Sequence, residues 1–227
     1  MKVDLQKFQK FDGAGSLMAG AGGLGLLALI GTLAGMASDP RPALFSYLWA
    51  FAYWGGISLA ALVLLQIFHA VRAKWMVVLR RAVEVMAVTV ILFLVLFIPI
   101  AVGLKHLYSW VEPAANLSHE ALKLLHHKEA YLNPTFFLIR SVVYVLLAGL
   151  VSQRLFGLSI KQDTSGDVQS TAKQRTLSTG ALPFIALVFS FAAFDWLMSL
   201  EPLWFSTIFG VYYFAGSFLS VISLLVI

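Results

Sequence analysis

Two ionisable side chains of opposite charge stand inside long apolar stretches, at similar distances from the predicted helix ends. Asp195 lies six residues before Glu201-Pro202, and Arg140 lies six residues after Pro134. At about 1.5 Å per residue, each would be roughly 9 Å below the same membrane surface. A charge at that depth needs a partner and is a candidate functional residue. We therefore predict that Arg140 and Asp195 face each other, directly or through Tyr144 or water.

Two interpretations of this pair are open from the residues alone. It could be a structural ion pair that fixes helix register, or Arg140 could extend to lipid headgroups. Glu84, near the inner surface, could be an entry point for protons from the cytoplasm. Glu84 also follows Arg80 and Arg81 at helical spacing, which equally predicts a local ion pair.

The sequence offers few ligands for a metal or a redox group. It contains no cysteine, which excludes disulfides, cysteine-ligated iron–sulfur clusters and covalent haem attachment within these residues. His69 lies near the predicted inner surface, where we expect it to be solvated, whereas His106, His119, His126 and His127 lie outside. A haem between helices needs two histidines at a common depth. We predict no bound cofactor, no metal and no catalytic residue in this chain.

The composition is that of a membrane protein. Of the 227 residues, 60% are hydrophobic and only 12% are charged, with a mean hydropathy of +0.86, whereas soluble domains are about half apolar and a quarter charged. The net charge of +5 does not indicate nucleic acid, because the basic residues cluster at the ends of apolar segments. We predict an all-α polytopic bundle with six spans of membrane length, at about 16–36, 45–71, 82–104, 134–157, 180–200 and 203–227.

The distribution of Lys and Arg predicts the orientation. With a cytoplasmic N-terminus, 11 of the 16 basic residues fall in inner segments, as the excess of Lys and Arg in cytoplasmic loops of membrane proteins predicts. The segment 158–178 is then a mobile inner loop, and 114–128 is an amphipathic helix outside. The last two spans are predicted to meet in a tight turn, with Pro202 in the first turn of the final helix. We expect one membrane domain over 1–227, continuing beyond Ile227.

Two stretches of the second half resemble a known family. They are FDWLMSLEPLWFSTIFGVYYFAGSF over Phe194–Phe218 and HKEAYLNPTFFLIR over His127–Arg140. Both are similar to the polysulfide-reductase (NrfD-type) membrane proteins, and in particular to the second large membrane subunit of alternative complex III, a bacterial quinol:cytochrome c oxidoreductase. The first stretch is the more specific of the two.

The resemblance implies electron transfer from quinol to a cytochrome c or a terminal oxidase, in a respiratory or photosynthetic chain. It places haem c and iron–sulfur clusters in partner subunits: a second NrfD-type membrane subunit, a multihaem cytochrome c and an iron–sulfur protein, with membrane lipid around them. Asp195, Arg140, Tyr144, Glu201 and Glu84 would then serve a proton path or quinol contact. The competing interpretations are an ion-coupled secondary transporter, whose two related halves are not evident, and a non-catalytic scaffold.

Overall fold

The computed structural model describes residues 14–113 and 117–226, and these contain helices and connecting segments but no strand. Six helices are long and apolar enough to span a membrane, which confirms the prediction of an all-α polytopic bundle. We number the principal helices α1 (Ala14–Ser38), α2 (Pro40–Ala70), α3 (Arg80–Val102), α4 (His119–Lys128), α5 (Pro134–Ser165), α6 (Val168–Trp196) and α7 (Phe209–Val226). The spanning helices are all of these except α4.

Helix α2 is the centre of the bundle. It packs against α3, α6 and α7, and every residue from Gly55 to Gln66 is buried. A helix that is apolar on all sides is either a buried core helix or a membrane span, and the middle of α2 is buried among other helices. Position 56 of α2 requires glycine, because a Cβ there would collide with the hydroxyls of Tyr213 and Ser217. Helix α1, in contrast, has no buried residue.

Helix α3 is regular only in pieces. Its α-helical parts are Arg80–Val88, Phe93–Leu96 and Ile98–Val102, with a 3₁₀ segment at Thr89–Leu92, and a short helix Leu104–Leu107 follows. Pro99 stands at the start of the last α-helical part of α3, where its missing N–H costs least. The interruption at Phe97 lies where a proline-induced kink is expected.

The predicted mobile loop at 158–178 is wrong, because α5 and α6 extend through it and meet in a two-residue turn. Gly166 adopts the left-handed conformation (φ 64°), and the carboxylate of Asp167 accepts a hydrogen bond from the Gln169 amide at 2.8 Å. These residues end one helix and cap the next. Polar side chains then join the two helices, since Gln162 hydrogen-bonds Thr171 at 2.6 Å and Gln174 at 3.1 Å.

The predicted tight turn at Glu201-Pro202 is also wrong. Helix α6 continues as a 3₁₀ turn at Met198–Leu200, residues 201–208 are not regular helix, and α7 begins only at Phe209. Pro202 is therefore outside the final helix. The reason is a contact that the local sequence does not encode: the Lys128 ammonium at the end of α4 donates to the Pro202 carbonyl and lies 5.9 Å from the centre of the Phe205 ring.

The short helix α4 occupies part of the amphipathic segment predicted at 114–128. It begins after Ser118, whose hydroxyl accepts from the Ala121 amide at 3.2 Å, while residues 114–116 lie outside the described part of the chain. The predicted cytoplasmic N-terminus stays a prediction, and residues 1–13 also lie outside the described part of the chain. We use "α4 end" and "α5–α6 turn end" below for the two ends of the bundle.

Candidate functional site

Helices α5 and α6 bring the three predicted residues together at the α4 end. Arg140 donates two hydrogen bonds to the Asp195 carboxylate, from Nε to Oδ2 at 2.8 Å and from Nη2 to Oδ1 at 2.9 Å. The Tyr144 hydroxyl donates to Asp195 Oδ2 at 2.8 Å. Asp195 is completely buried, and Arg140 and Tyr144 are each 8% exposed. The predicted Arg140–Asp195 pairing is thus confirmed, and it is direct.

The start of α5 sets the direction of these side chains. Pro134 follows Asn133, whose Oδ1 accepts from the Phe136 amide at 2.9 Å, so the helix begins with a regular cap. Phe136, Arg140 and Tyr144 are four residues apart and therefore lie on one face. That face meets the last turn of α6, which carries Asp195.

Both carboxylate oxygens of Asp195 have partners, so the buried charge is compensated. The two-point Arg–carboxylate geometry is the strongest form of this interaction. A buried pair of this kind adds little net stability, but removal of one partner leaves an unpaired charge at a cost of about 3–5 kcal/mol. The arrangement therefore leaves neither carboxylate oxygen of Asp195 without a donor.

Arg140 also has a second set of partners, which the sequence reasoning missed. Its Nη1 donates to the Tyr131 carbonyl at 2.9 Å, and its guanidinium carbon lies 3.8 Å from the Tyr131 ring centre and 4.2 Å from that of Phe136. The two rings are nearly perpendicular, at 85°. They form a corner around the cation, which we call the aromatic corner. The sequence feature that could have indicated this contact is the four-residue spacing of Phe136 and Arg140, which places them on one helix face.

The Tyr131 hydroxyl points toward the same carboxylate. It is buried next to Asp195 and Tyr144, although it makes no hydrogen bond of regular geometry among the described residues. Burial first, and the Asp195 charge second, raise the pKa of Tyr131 to about 12. Tyr131 is therefore a neutral phenol at physiological pH. We refer to Asp195, Arg140, Tyr144 and Tyr131 as the Asp195 cluster.

Buried hydrogen bonds fix the end of α6 on which Asp195 stands. Trp196 Nε1 donates to the Ser141 hydroxyl at 3.1 Å, and the Tyr108 hydroxyl donates to the Trp196 carbonyl at 3.0 Å. The Ser199 hydroxyl donates to the Asp195 carbonyl. On the side toward the bundle centre, apolar residues including Leu59 and Val90 lie below Tyr144 and Trp196. The end of α6 that carries Asp195 is thus held by several buried hydrogen bonds and is bounded by apolar packing.

Glu84 lies in a different cluster, at the α5–α6 turn end. Arg81 Nη1 donates to Glu84 at 2.8 Å and Arg80 Nε lies 3.4 Å from it, which confirms the predicted ion pairs. Both arginines also pair with Asp163. This contact was not predicted, because Asp163 lies in the segment predicted to be a mobile loop. We call these four residues the Glu84 cluster. Ser159 approaches Glu84 and is fifteen residues from Tyr144 on α5, so the clusters are separated by about 22 Å.

Two other predicted residues lie apart from the Asp195 cluster. Glu201 is exposed, and none of the side-chain bonds found in the described residues involves its carboxylate. His69 is half-buried rather than solvated, because the longer α6 covers it and Ser178 hydrogen-bonds its Nδ1 at 2.9 Å. Within residues 14–113 and 117–226, no three His, Cys, Asp or Glu side chains form a group that could hold a metal ion.

Comparison with known proteins does not assign a family to this chain. No protein-family model matches the sequence, and a search of the curated proteins finds no matching relative.

Proposed function

We propose that the chain is a multi-pass subunit of a quinol-oxidising electron-transport complex in a bacterial inner membrane, and that its Asp195 cluster carries protons. The two stretches that resemble the alternative complex III subunit support this proposal, because they are far apart in sequence yet meet in one site. One stretch supplies Tyr131 and Arg140, and the other supplies Asp195. The haem c and iron–sulfur centres would belong to partner subunits, and quinol is the electron donor.

The observation that carries the proposal is a fully buried carboxylate with a cation and a phenol on its oxygens. Buried ionisable groups in membrane segments are costly and often serve proton or ion paths. While Arg140 is paired, both carboxylate oxygens of Asp195 accept hydrogen bonds from Arg140 or Tyr144. When Arg140 moves away, the carboxylate becomes an uncompensated buried charge and takes up a proton instead. Movement of Arg140 would therefore control proton uptake.

The Glu84 cluster is the candidate for the opposite half of such a path. It lies about 22 Å from Tyr144 along α5, and the interior between the clusters contains apolar side chains such as Leu59 and Phe93. This separation favours two half-paths, one open to each side, over a continuous water column. Glu201, which is exposed near the end of α6, would lie at the mouth of the half-path on the α4 side.

A non-catalytic scaffold is the second candidate. The complete hydrogen bonding of Asp195 favours it, because a satisfied buried pair can serve only to fix helix register. In that case the chain would anchor redox subunits without moving protons.

The test compares Asp195→Asn with the wild type in the intact complex purified from native membranes. The control is Glu112→Gln, which changes an exposed carboxylate outside the cluster. Quinol:cytochrome c turnover is measured, together with proton release per electron in proteoliposomes. Normal turnover with lost proton release, and a normal control, is expected for a proton path.

Two other results have different meanings. Lost turnover in an intact complex would assign Asp195 to quinol contact. Unchanged turnover and unchanged proton release would leave the scaffold as the function of this chain. Failure of the redox subunits to co-purify with the chain would contradict the electron-transport proposal itself.

A further inference from the structure

We propose that a cavity between α2, α7 and the end of α6 binds a membrane-soluble molecule whose planar ring carries hydroxyl or carbonyl groups, which is the chemistry of a quinol. The cavity has a volume of about 530 Å³, and none of the four residues of the Asp195 cluster lines it. The proposed function assigns no role to this cavity. The inference rests on that function only for the identity of the natural ligand, because the class of ligand is argued from the cavity itself.

The walls of the cavity are apolar and aromatic. Trp49 and Tyr53 contribute from α2, Leu197 from the end of α6, and Phe209 from the start of α7. Trp49 is exposed, so the cavity opens on the outer face of a helix that is long and apolar enough to span a membrane. Ligand sites are typically cavities of roughly 300–1,000 Å³ with walls of this kind and a few polar groups. The volume and the walls therefore suit a membrane-soluble ligand whose ring packs against aromatic side chains.

One polar group in the cavity has no partner. Ser217 of α7 lines the cavity and is 7% exposed, yet none of the hydrogen bonds found in the described residues involves its hydroxyl. Two other serines of α7 differ, since Ser220 and Ser223 donate to the carbonyls four residues before them, each at 2.9 Å. A buried hydroxyl without a hydrogen bond costs free energy, and a polar group on a ligand would remove that cost. Ser217 therefore marks the place where the polar group of the ligand binds.

The position of Ser217 along α7 decides between a ring-bearing ligand and a phospholipid. Helix α7 begins at Phe209, and Ser217 follows at about 12 Å along the helix axis. The hydrocarbon core of a bilayer is about 30 Å thick, so a phospholipid in the cavity would present only its acyl chain to this hydroxyl. An acyl chain forms no hydrogen bond. A lipid-soluble ring with a hydroxyl or carbonyl group reaches the same depth and does form one.

Gly216 provides a way to close the cavity. It lines the cavity next to Ser217, and no atom lies within 4 Å of the position that a Cβ would occupy there. A large side chain at position 216 would therefore fill the cavity without a collision at its first carbon. Gly180 of α6 has equally open space at its Cβ position but does not line the cavity. The same substitution at Gly180 is consequently a matched control.

The experiment uses a short-chain azido-ubiquinone, which is a photoreactive quinone, on the intact complex purified from native membranes. Cross-linked peptides of this chain are identified by mass spectrometry, and decylubiquinone is the competitor. We expect adducts on the α2 and α7 residues that line the cavity, and we expect excess competitor to suppress them.

Two variants with controls test the site. Gly216→Phe is expected to abolish labelling of the cavity, whereas Gly180→Phe should leave it unchanged. Ser217→Ala should weaken competition by decylubiquinone by about 2- to 12-fold, which is the value of one neutral hydrogen bond. Ser223→Ala should not weaken it, because the Ser223 hydroxyl is already bonded within α7. If Gly216→Phe prevented assembly of the complex, Ser217→Ala would decide the question alone.

Adducts only elsewhere in the chain, or labelling of the cavity that persists in Gly216→Phe, would overturn the proposal. An affinity unchanged by Ser217→Ala would also overturn it. The same holds for an azido-phospholipid that labels the cavity and is not displaced by decylubiquinone, because an acyl chain would then be the occupant.

Failure of the proposed function is distinguishable from failure of this inference, since labelling requires no turnover. Competed labelling of the cavity in a complex without quinol:cytochrome c turnover would retain the binding site and reject the electron-transport function. Normal turnover without labelling of the cavity would reject the binding site and leave the proposed function intact.

Discussion

Two buried carboxylates in the described part of the bundle show how one kind of ion pair acquires different properties at the two ends of a membrane protein. Asp195 and Glu84 are 0% and 1% exposed. Around Asp195 the single cation is buried as well, and aromatic rings surround it. Around Glu84 there are two arginines and a second acid, Asp163, and all three are partly exposed. The first cluster is closed to water and the second is open to it.

This difference determines which pair the fold depends on. A Coulombic interaction in a dry interior is several times stronger than at a protein surface, where water and salt screen it. In the Asp195 cluster, loss of one partner leaves a charge that nothing else can compensate. In the Glu84 cluster, each acid contacts both arginines, so loss of one group leaves the others paired or hydrated. We therefore expect mutations at the two ends to differ in size and in salt dependence.

The largest loss of stability should come from breaking the ion pair between Arg140 and Asp195. Arg140→Leu is expected to lower the free energy of unfolding by about 3–5 kcal/mol, because Asp195 is left buried and unpaired. The double variant Arg140→Leu/Asp195→Leu should recover most of that loss, since it removes both charges. Unfolding in mixed detergent micelles, followed by circular dichroism, measures both. A double variant as unstable as the single one would show that the pair itself, rather than the unpaired charge, holds the helices together.

A smaller loss of stability should follow from removal of the Tyr144 hydroxyl, which donates to Asp195. Tyr144→Phe removes a hydrogen bond to a charged group, which is worth about 1.5–3 kcal/mol, while it retains the buried ring. Tyr212→Phe is the matched control, because Tyr212 is 77% exposed. The same unfolding assay applies to both. If the two variants were equally stable, the Tyr144 hydroxyl would not contribute to holding the Asp195 charge.

The sequence was sufficient to predict the Asp195–Arg140–Tyr144 contact, although one premise was wrong. The predicted depth of Asp195 depends on a turn at Glu201-Pro202 that the structure does not contain. The depth is nevertheless similar, because the 3₁₀ turn at Met198–Leu200 continues the path of α6 toward the same end of the bundle. Burial of a charge is costly enough that two opposite charges at equal depth almost have to meet.

The missed residues have a common cause, which is that long-range contacts place them. Tyr131 lies in a connecting segment whose position depends on the bond from Lys128 to Pro202, 74 residues apart. Asp163 lies in a polar stretch that resembles a loop, because no apolar face marks its helix. That helix is stabilised by hydrogen bonds between α5 and α6, such as Gln162 to Gln174. Local patterns do not contain these contacts.

The smallest loss of stability should come from a mutation in the Glu84 cluster, and high salt should abolish that loss. Asp163 is about half-exposed, so its two ion pairs are screened and Asp163→Asn should cost less than about 1 kcal/mol at low salt. At about 1 M salt, where the Debye length is about 3 Å, the cost should vanish. The loss caused by Arg140→Leu should persist there, because salt does not enter the closed cluster. Equal salt dependence of the two variants would mean that water reaches Asp195, and the contrast between a closed and an open end would then be wrong.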